Sequence, residues 1–327
     1  MKCISRKKRK LWLCIVAILA MAFFTACGSS KDLPDAYEVY EKGDDTEMSM
    51  QIEQPDFFAK GLCVGGTENV TGEYIPDDIA SALVFLPDEE KIEYAENIYD
   101  KVYPASTTKI LTAYLALKYG NLDDPITVSS TAASVPAESS VCGFKAGDQI
   151  TLYDALSGLM LMSGNDAANV IAEYVSGSNS DFCVLMNQEA RLLGATHSHF
   201  VNPHGYPADD HYTTAYDLYL IFQAALKDDT FRQLMAEKEM DVSYQNAAGE
   251  TVNAKWESTN HYYTGEAEIP SGFEILGGKT GSSNSSGFCL VLYSKDQENR
   301  PVISIIMRSA SKEILYQQMS RLLSVYG

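Results

Sequence analysis

The chain has 327 residues, 46% of them hydrophobic, and a formal net charge of −19. That is enough apolar material for one large domain or two modest ones, so a disordered or fibrous chain is excluded. The acidity argues against nucleic acid as a partner, because a phosphate backbone would be repelled rather than neutralised.

The first element is a leader. Lys2, Arg6, Lys7, Lys8, Arg9 and Lys10 precede an unbroken apolar run from Leu11 to Phe24. A membrane span needs about 20 such residues. A basic stretch, a shorter apolar stretch and small residues ahead of a break read instead as a secretory signal over residues 1–26. The alternative, a buried core helix, is disfavoured because nothing amphipathic interrupts the run. Setting aside its 6 basic residues leaves 19 basic against 44 acidic ones, so the exported part is more acidic still. The break itself, Phe24-Thr25-Ala26-Cys27-Gly28, resembles a bacterial lipobox, with Phe24 standing where Leu is usual. That resemblance implies lipidation of Cys27. Gly28 to Asp56 is polar and acidic and reads as a tether. Such a chain would lie on the outer face of the bacterial cytoplasmic membrane, held by an N-terminal lipid rather than a basic patch. We divide it into residues 1–26 (signal), 27–76 (acidic tether and edge segment) and 77–327 (one folded domain).

Cys3 and Cys14 belong to the leader, leaving Cys63, Cys142, Cys183 and Cys289. Their wide scatter makes neither a disulfide scaffold nor a metal site. We expect buried free thiols, with one or two bridges as the alternative.

Further along, Phe57 to Val64 suggests a short edge strand. Ser81 to Phe85 and Lys91 to Tyr94 suggest a hairpin turning at Pro87 to Glu90. Ser106 opens a helix that runs to Tyr119 and stops at Gly120; apolar side chains nearly encircle it, which places it in the core. Leu152 to Met162, Asp166 to Val175, Asp181 to Leu193 and Thr214 to Leu226 have helical spacing, with Gly177 and Gly194 as stops. Gly287 to Tyr293 and Pro301 to Met307 are apolar strands joined by a polar turn. A last helix, Lys312 to Tyr326, carries Leu315, Met319, Leu322 and Tyr326 on one stripe. Strands come first and last with helices between. The fold class is therefore α/β in the broad sense and α+β in detail: an antiparallel sheet built from both ends, flanked by helices, with a helical lobe inserted. A cleft between sheet and lobe is the natural ligand site.

Three short strings carry the chemistry. Ser106-Thr107-Thr108-Lys109 puts a hydroxyl and an amine on one face of a helix start. The free N–H of Ser106 there lies near the positive end of the helix dipole. Taken alone, a helix cap followed by a surface lysine is the more common explanation. Ser163-Gly164-Asn165 falls between two helices, where an N-cap is the ordinary role. Lys279-Thr280-Gly281, followed by Ser282, reads as an edge strand facing the cleft, although a turn lysine explains it as well. No single string decides. Their joint occurrence on helix, lobe loop and terminal sheet does, because it gathers a hydroxyl nucleophile, two amines and polar donors suited to acyl transfer through serine.

In that combination the chain resembles the D-alanyl-D-alanine carboxypeptidases, the low-molecular-weight penicillin-binding proteins. Tyr103-Pro104-Ala105, Ser163 to Ala168, Asn202-Pro203-His204-Gly205 and His211 to Leu218 add to the likeness, which runs from about Ala80 to the end. Many members carry a further β-rich domain and a membrane helix, and here an N-terminal lipid would take the anchor's place. The resemblance implies a penicillin-binding/β-lactamase-like fold and no metal or other cofactor. It implies a peptidoglycan stem peptide ending in D-Ala-D-Ala as substrate and β-lactams as covalent inhibitors. Ser106, Lys109 and Ser163 are the expected catalytic residues; Asn165, Lys279, Thr280, Gly281 and Ser282 are the expected substrate-binding ones. Arg308 or Lys312 is a candidate for the substrate carboxylate. A D,D-endopeptidase is the nearest alternative. A class A-like β-lactamase lacks its deacylating glutamate here, since Ser198 to Pro203 holds no carboxylate. A non-catalytic wall-binding lipoprotein would leave the three strings without purpose. His197, His199, His204 and His211 are expected on a loop beside the cleft, with a spacing that matches no metal motif.

Overall fold

Strands covered on both faces have no polar side, so they read as continuous apolar runs rather than alternating ones. The runs at the two ends of the sequence are of this kind. The computed structural model describes residues 60–327; the leader, Cys27 and residues 28–59 lie outside the described residues. In chain order the elements begin with β1 (Ser81–Leu86) and β2 (Lys91–Glu96). A 3-10 turn (Ala105–Thr108) then leads into α1 (Lys109–Tyr119). Two short strands follow, β3 (Pro125–Thr127) and β4 (Gln149–Thr151). The middle is helical: α2 (Leu152–Met160), α3 (Asn165–Ser176), α4 (Asn179–Leu192), α5 (Ala215–Ala225) and α6 (Asp229–Ala236). A hairpin, β5 (Glu239–Gln245) and β6 (Thr251–Glu257), precedes the short α7 (His261–Thr264). The chain closes with β7 (Glu274–Ser283), β8 (Gly287–Lys295), β9 (Pro301–Ser309) and α8 (Lys312–Tyr326).

The principal sheet has the order β2-β1-β9-β8-β7 and is antiparallel throughout, so both ends of the sequence do meet in it. Ser81 of β1 faces Met307 of β9. Period-two geometry divides its side chains between two layers. Leu83, Phe85, Val291, Ile303 and Ile305 join Ile110, Leu111, Leu218 and Phe222 in the core beneath the helical lobe. Ala82, Val84, Leu86, Leu290, Leu292 and Ile306 join Leu315, Met319, Leu322 and Leu323 of α8 in a second layer. Truncating one of these buried leucines to alanine costs about 2–5 kcal/mol. β7 is one edge of the sheet, β2 the other, and β7 borders the lobe.

Some expectations need correction. Residues 60–64 form no strand. They are a turn pinned by side chains: the Cys63 N–H donates to Tyr219 Oη at 2.8 Å, and Tyr99 Oη donates to the Gly65 carbonyl at 2.6 Å. Ser106 lies in a 3-10 turn that starts at Ala105 rather than opening an α-helix, and the α-helix proper begins at Lys109. Gly120 ends that helix in an extended conformation, φ −110°, whereas Gly177 is left-handed at φ +78°. A second, four-stranded sheet (β3-β4-β5-β6) and α6 had no forecast. Cys63, Cys142, Cys183 and Cys289 are free thiols. Among the described residues no helix is long and apolar enough to cross a membrane, and no group of acidic, His or Cys side chains could hold a metal ion.

Candidate active site

The cleft forms where the 3-10 turn, the α2–α3 loop and β7 converge. Ser106 sits on the 3-10 turn, and Lys109 Nζ lies 2.9 Å from its Oγ. The same amine reaches Asn165 Oδ1 at 2.7 Å and the His204 carbonyl at 2.8 Å. Three oxygens on three segments therefore fix it, and Lys109 is fully buried. Burial, followed by the nearby Lys279 charge, holds its pKa well below the ordinary lysine value. An amine in that state is neutral at lower pH than an ordinary lysine, so its lone pair is free to take a proton from a neighbouring hydroxyl. Among the described residues the Ser106 N–H meets no acceptor, so it remains available as a donor into the cleft.

Two residues here hold backbone conformations that only glycine adopts cheaply. Ala105, just before Ser106, has φ +47°, and Ser163 has φ +55°. Such residues cost of order 1–3 kcal/mol each and persist where the surroundings impose them. The imposition is visible. A Cβ on Gly205 would come within 1.7 Å of the Ala105 carbonyl oxygen, so the 202–206 loop presses directly on the turn. From the other side, a Cβ on Gly281 would lie 2.9 Å from the Ser106 nitrogen. Glycine at 281 is what lets β7 approach Ser106.

Lys279, also buried, points through the sheet edge to Ser163 Oγ at 2.9 Å and to its neighbour's carbonyl, Thr280 O, at 3.1 Å. Burial lowers its pKa to about 7. Thr280 Oγ1 lies 2.6 Å from Thr259 Oγ1. Ser106, Lys109, Ser163, Asn165, Lys279, Thr280, Gly281 and Ser282 thus meet at one place, as the three strings require. Lys312 lines the same cleft, whereas Arg308 is exposed on β9 and does not.

The third wall was only partly legible. His211 is buried, its Nε2 2.9 Å from Thr108 Oγ1, while its Nδ1 accepts the Val201 N–H at 3.1 Å. That acceptance fixes the tautomer with hydrogen on Nε2, so the ring donates to Thr108. Burial keeps the ring neutral, with a pKa of about 4; the half-buried His204, beside Lys109, is lowered by desolvation and by that lysine's charge to about 3. Asn202 Oδ1 accepts the N–H groups of Gly205 and Tyr206 at 2.7 and 3.1 Å, which ties the loop. Tyr206 Oη donates to Glu138 on the opposite rim. Glu138, Tyr206 and Thr259 lie outside the three strings, on segments with no periodic signal.

Two arms of the cleft meet at Ser106, with cavity volumes of about 380 and 200 Å³. A larger open groove, about 790 Å³, lies between the 266–271 loop and α8. Its lining holds no hydroxyl–amine pair at bonding distance, so the chemistry belongs to the smaller cleft.

A family description, D-alanyl-D-alanine carboxypeptidase, matches residues 73–311. D-alanyl-D-alanine carboxypeptidase DacF of Bacillus subtilis is 29% identical over 71% of this chain and 58% of its own length. DacC of Escherichia coli, of the same description, is 32% identical over 70% of this chain and 56% of its own. The chain thus spans less than two thirds of the length of these relatives. The crystal structure of the Streptomyces K15 DD-transpeptidase superposes with a TM-score of 0.71 at 25% identity, covering 78% of this chain and 98% of that one.

Proposed function

The chain belongs to the D-alanyl-D-alanine carboxypeptidase family, and on that premise we propose that it removes the terminal D-alanine from peptidoglycan stem peptides through a serine acyl-enzyme. The observation that carries the reading is the 2.9 Å contact between Ser106 Oγ and the buried, weakly basic amine of Lys109.

Ser106 Oγ attacks the carbonyl carbon of the penultimate D-Ala while its proton passes to Lys109 Nζ. The N–H groups of Ser106 and Ser282 receive the oxyanion; losing one such donor costs roughly 3–4 kcal/mol of barrier. The tetrahedral species then collapses, the C–N bond breaks, and the departing D-Ala amine takes a proton relayed through Ser163, which Lys279 holds. Lys279 and Thr280 bind the terminal carboxylate, and Lys312 adds positive charge at that end. Asn165 directs its oxygen to Lys109, which leaves its amide N–H to the substrate peptide. Gly281 gives the room for β7 to run alongside. Water hydrolyses the ester. β-Lactams acylate Ser106 by the same route and leave slowly. The enzyme acts outside the cytoplasm, delivered by the signal over residues 1–26 and tied to the membrane by a lipid on Cys27, with 27–76 as tether and edge segment and 77–327 as the catalytic domain.

Incubating the purified protein with a pentapeptide ending in D-Ala-D-Ala should release free D-alanine. Ser106→Ala should abolish both that release and the mass increment left by penicillin. An intact pentapeptide after prolonged incubation with the unmodified enzyme would refute the activity. A penicillin adduct on Ser106→Ala would refute the nucleophile. Mass spectrometry of membrane-extracted protein tests the lipid: an unmodified N-terminal Cys27 would remove the anchor.

A further inference from the structure

The two arms of the cleft carry opposite charge. The narrower arm is lined by Ser163, Thr259, Thr280 and Lys312, with Lys279 one hydrogen bond behind Ser163 and no carboxylate among its lining residues. The wider arm is lined by the 138–140 turn, His204 to Pro207 and Ser282 to Ser285. Glu138 is its one ionisable carboxylate, it has no lysine or arginine, and His204 is neutral. In a chain with 44 acidic residues, exclusion of acids from one arm and placement of a single one in the other define a direction.

Glu138 is also held in place. Tyr206 Oη donates to its Oε1, and the Tyr206 N–H is fixed by Asn202 Oδ1 at 3.1 Å and His204 Nδ1 at 3.1 Å. That hydrogen bond keeps the Glu138 carboxyl below its usual range, so it is ionised at neutral pH. Its second oxygen takes no hydrogen bond among the described residues. The Ser139 hydroxyl, buried in the same arm, is likewise without a partner there. An oriented carboxylate with a vacant oxygen, facing a cavity, is a receptor for a cation with N–H donors.

We infer that the wider arm receives a free primary amine on the residue just upstream of the acylated D-Ala, and that Glu138, positioned by Tyr206, binds it. The inference rests on the carboxypeptidase reading, which puts the substrate carboxylate in the Lys279 and Lys312 arm and so sends the upstream residues toward Glu138. In a stem peptide that upstream residue is the diamino acid. Its side-chain amine is free in an uncross-linked strand and acylated in a cross-linked one. The substrate class is thus stem peptides with an unblocked third-position amine.

Two pentapeptides ending in D-Ala-D-Ala test this, with third-position lysine either free or Nε-acetylated. Because the pair is partly solvated, the free amine should raise kcat/KM for D-alanine release by about five- to tenfold. Added salt should shrink that preference. Glu138→Gln should bring the free-amine peptide down to the acetylated one, and Tyr206→Phe should do so in part; thermal melts report whether each variant is folded. Equal kcat/KM for the two peptides in the unmodified enzyme would overturn the inference, as would a preference that survives in folded Glu138→Gln. If neither peptide released D-alanine, the carboxypeptidase reading itself would fall, a result distinct from equal rates.

Discussion

Two buried lysines serve one serine-centred site from different kinds of structure. Lys109 stands at the head of a helix with oxygens of Ser106, Asn165 and His204 around it; Lys279 lies on an edge strand with Ser163 and a single carbonyl. Both lose basicity by desolvation, and because their charges repel, a proton on one holds down the basicity of the other. Of two ammonium groups buried close together, one gives up its proton first, and here burial together with the Lys279 charge makes it Lys109. On the proposed mechanism the pair divides into a neutral base and a cation poised near neutrality, which is the separation of acid and base roles that acyl transfer needs.

The division can be broken in several ways. The largest effect is expected from Lys109→Met, which should slow acylation by penicillin about 10²- to 10⁴-fold, as loss of a general base does. Stopped-flow or mass-shift kinetics would read it, and an equal or greater loss in Lys279→Met would reverse the assignment of roles. Next comes Gly205→Ala. Its Cβ has no room against Ala105, and the residue is left-handed at φ +86°, so chemical denaturation should show a loss of about 2–4 kcal/mol. A neutral result would mean the loop does not impose the strained turn. A smaller effect, of opposite sign, is expected from Lys279→Met. The Lys279 amine has a pKa of about 7 when folded and an ordinary value of 10.5. Between those limits the unfolded chain holds a proton that the folded one lacks, so stability rises with pH across the window and is flat below about 7. Lys279→Met should therefore be more stable than the natural protein at pH 7, with the gap closing toward pH 10; denaturant midpoints at pH 7 and 9.5 decide it. Least in size is His211→Gln. Disturbing the bonds to Thr108 and Val201 should cost about 1 kcal/mol and slow acylation up to roughly tenfold, since Thr108 lies between nucleophile and base. Unchanged acylation would reduce His211 to a packing residue.

How much of this the sequence disclosed depended on burial. α8 is readable to the residue because Ser311 caps it and its apolar stripe is regular. β8 and β9 announce themselves because both faces are covered. The β5–β6 hairpin does not: Glu239, Asp241, Ser243 and Gln245 are exposed on one face, and on the other only Val242 and Tyr244 are buried. A strand solvated on much of its surface leaves little apolar pattern. The 3-10 turn at Ser106 escaped notice because sequence distinguishes poorly between i+3 and i+4 bonding over one turn. Within the site, residues in the three strings were legible as a set. Glu138, Tyr206 and Thr259 were not, because they reach the cleft from loops whose course is fixed by long-range contacts such as Gly205 against Ala105.

β9 occupies the middle of the principal sheet although it is the last strand, and its neighbour β1 is the first. Within that sheet, nothing joins β1 and β2 to β7 and β8 until β9 slots into place. Closing a loop of more than two hundred residues must precede the reward, so assembly should be slow and all-or-none, with no competent half-enzyme along the way. An emerging polypeptide therefore cannot complete the principal sheet until Pro301 to Ser309 has been made.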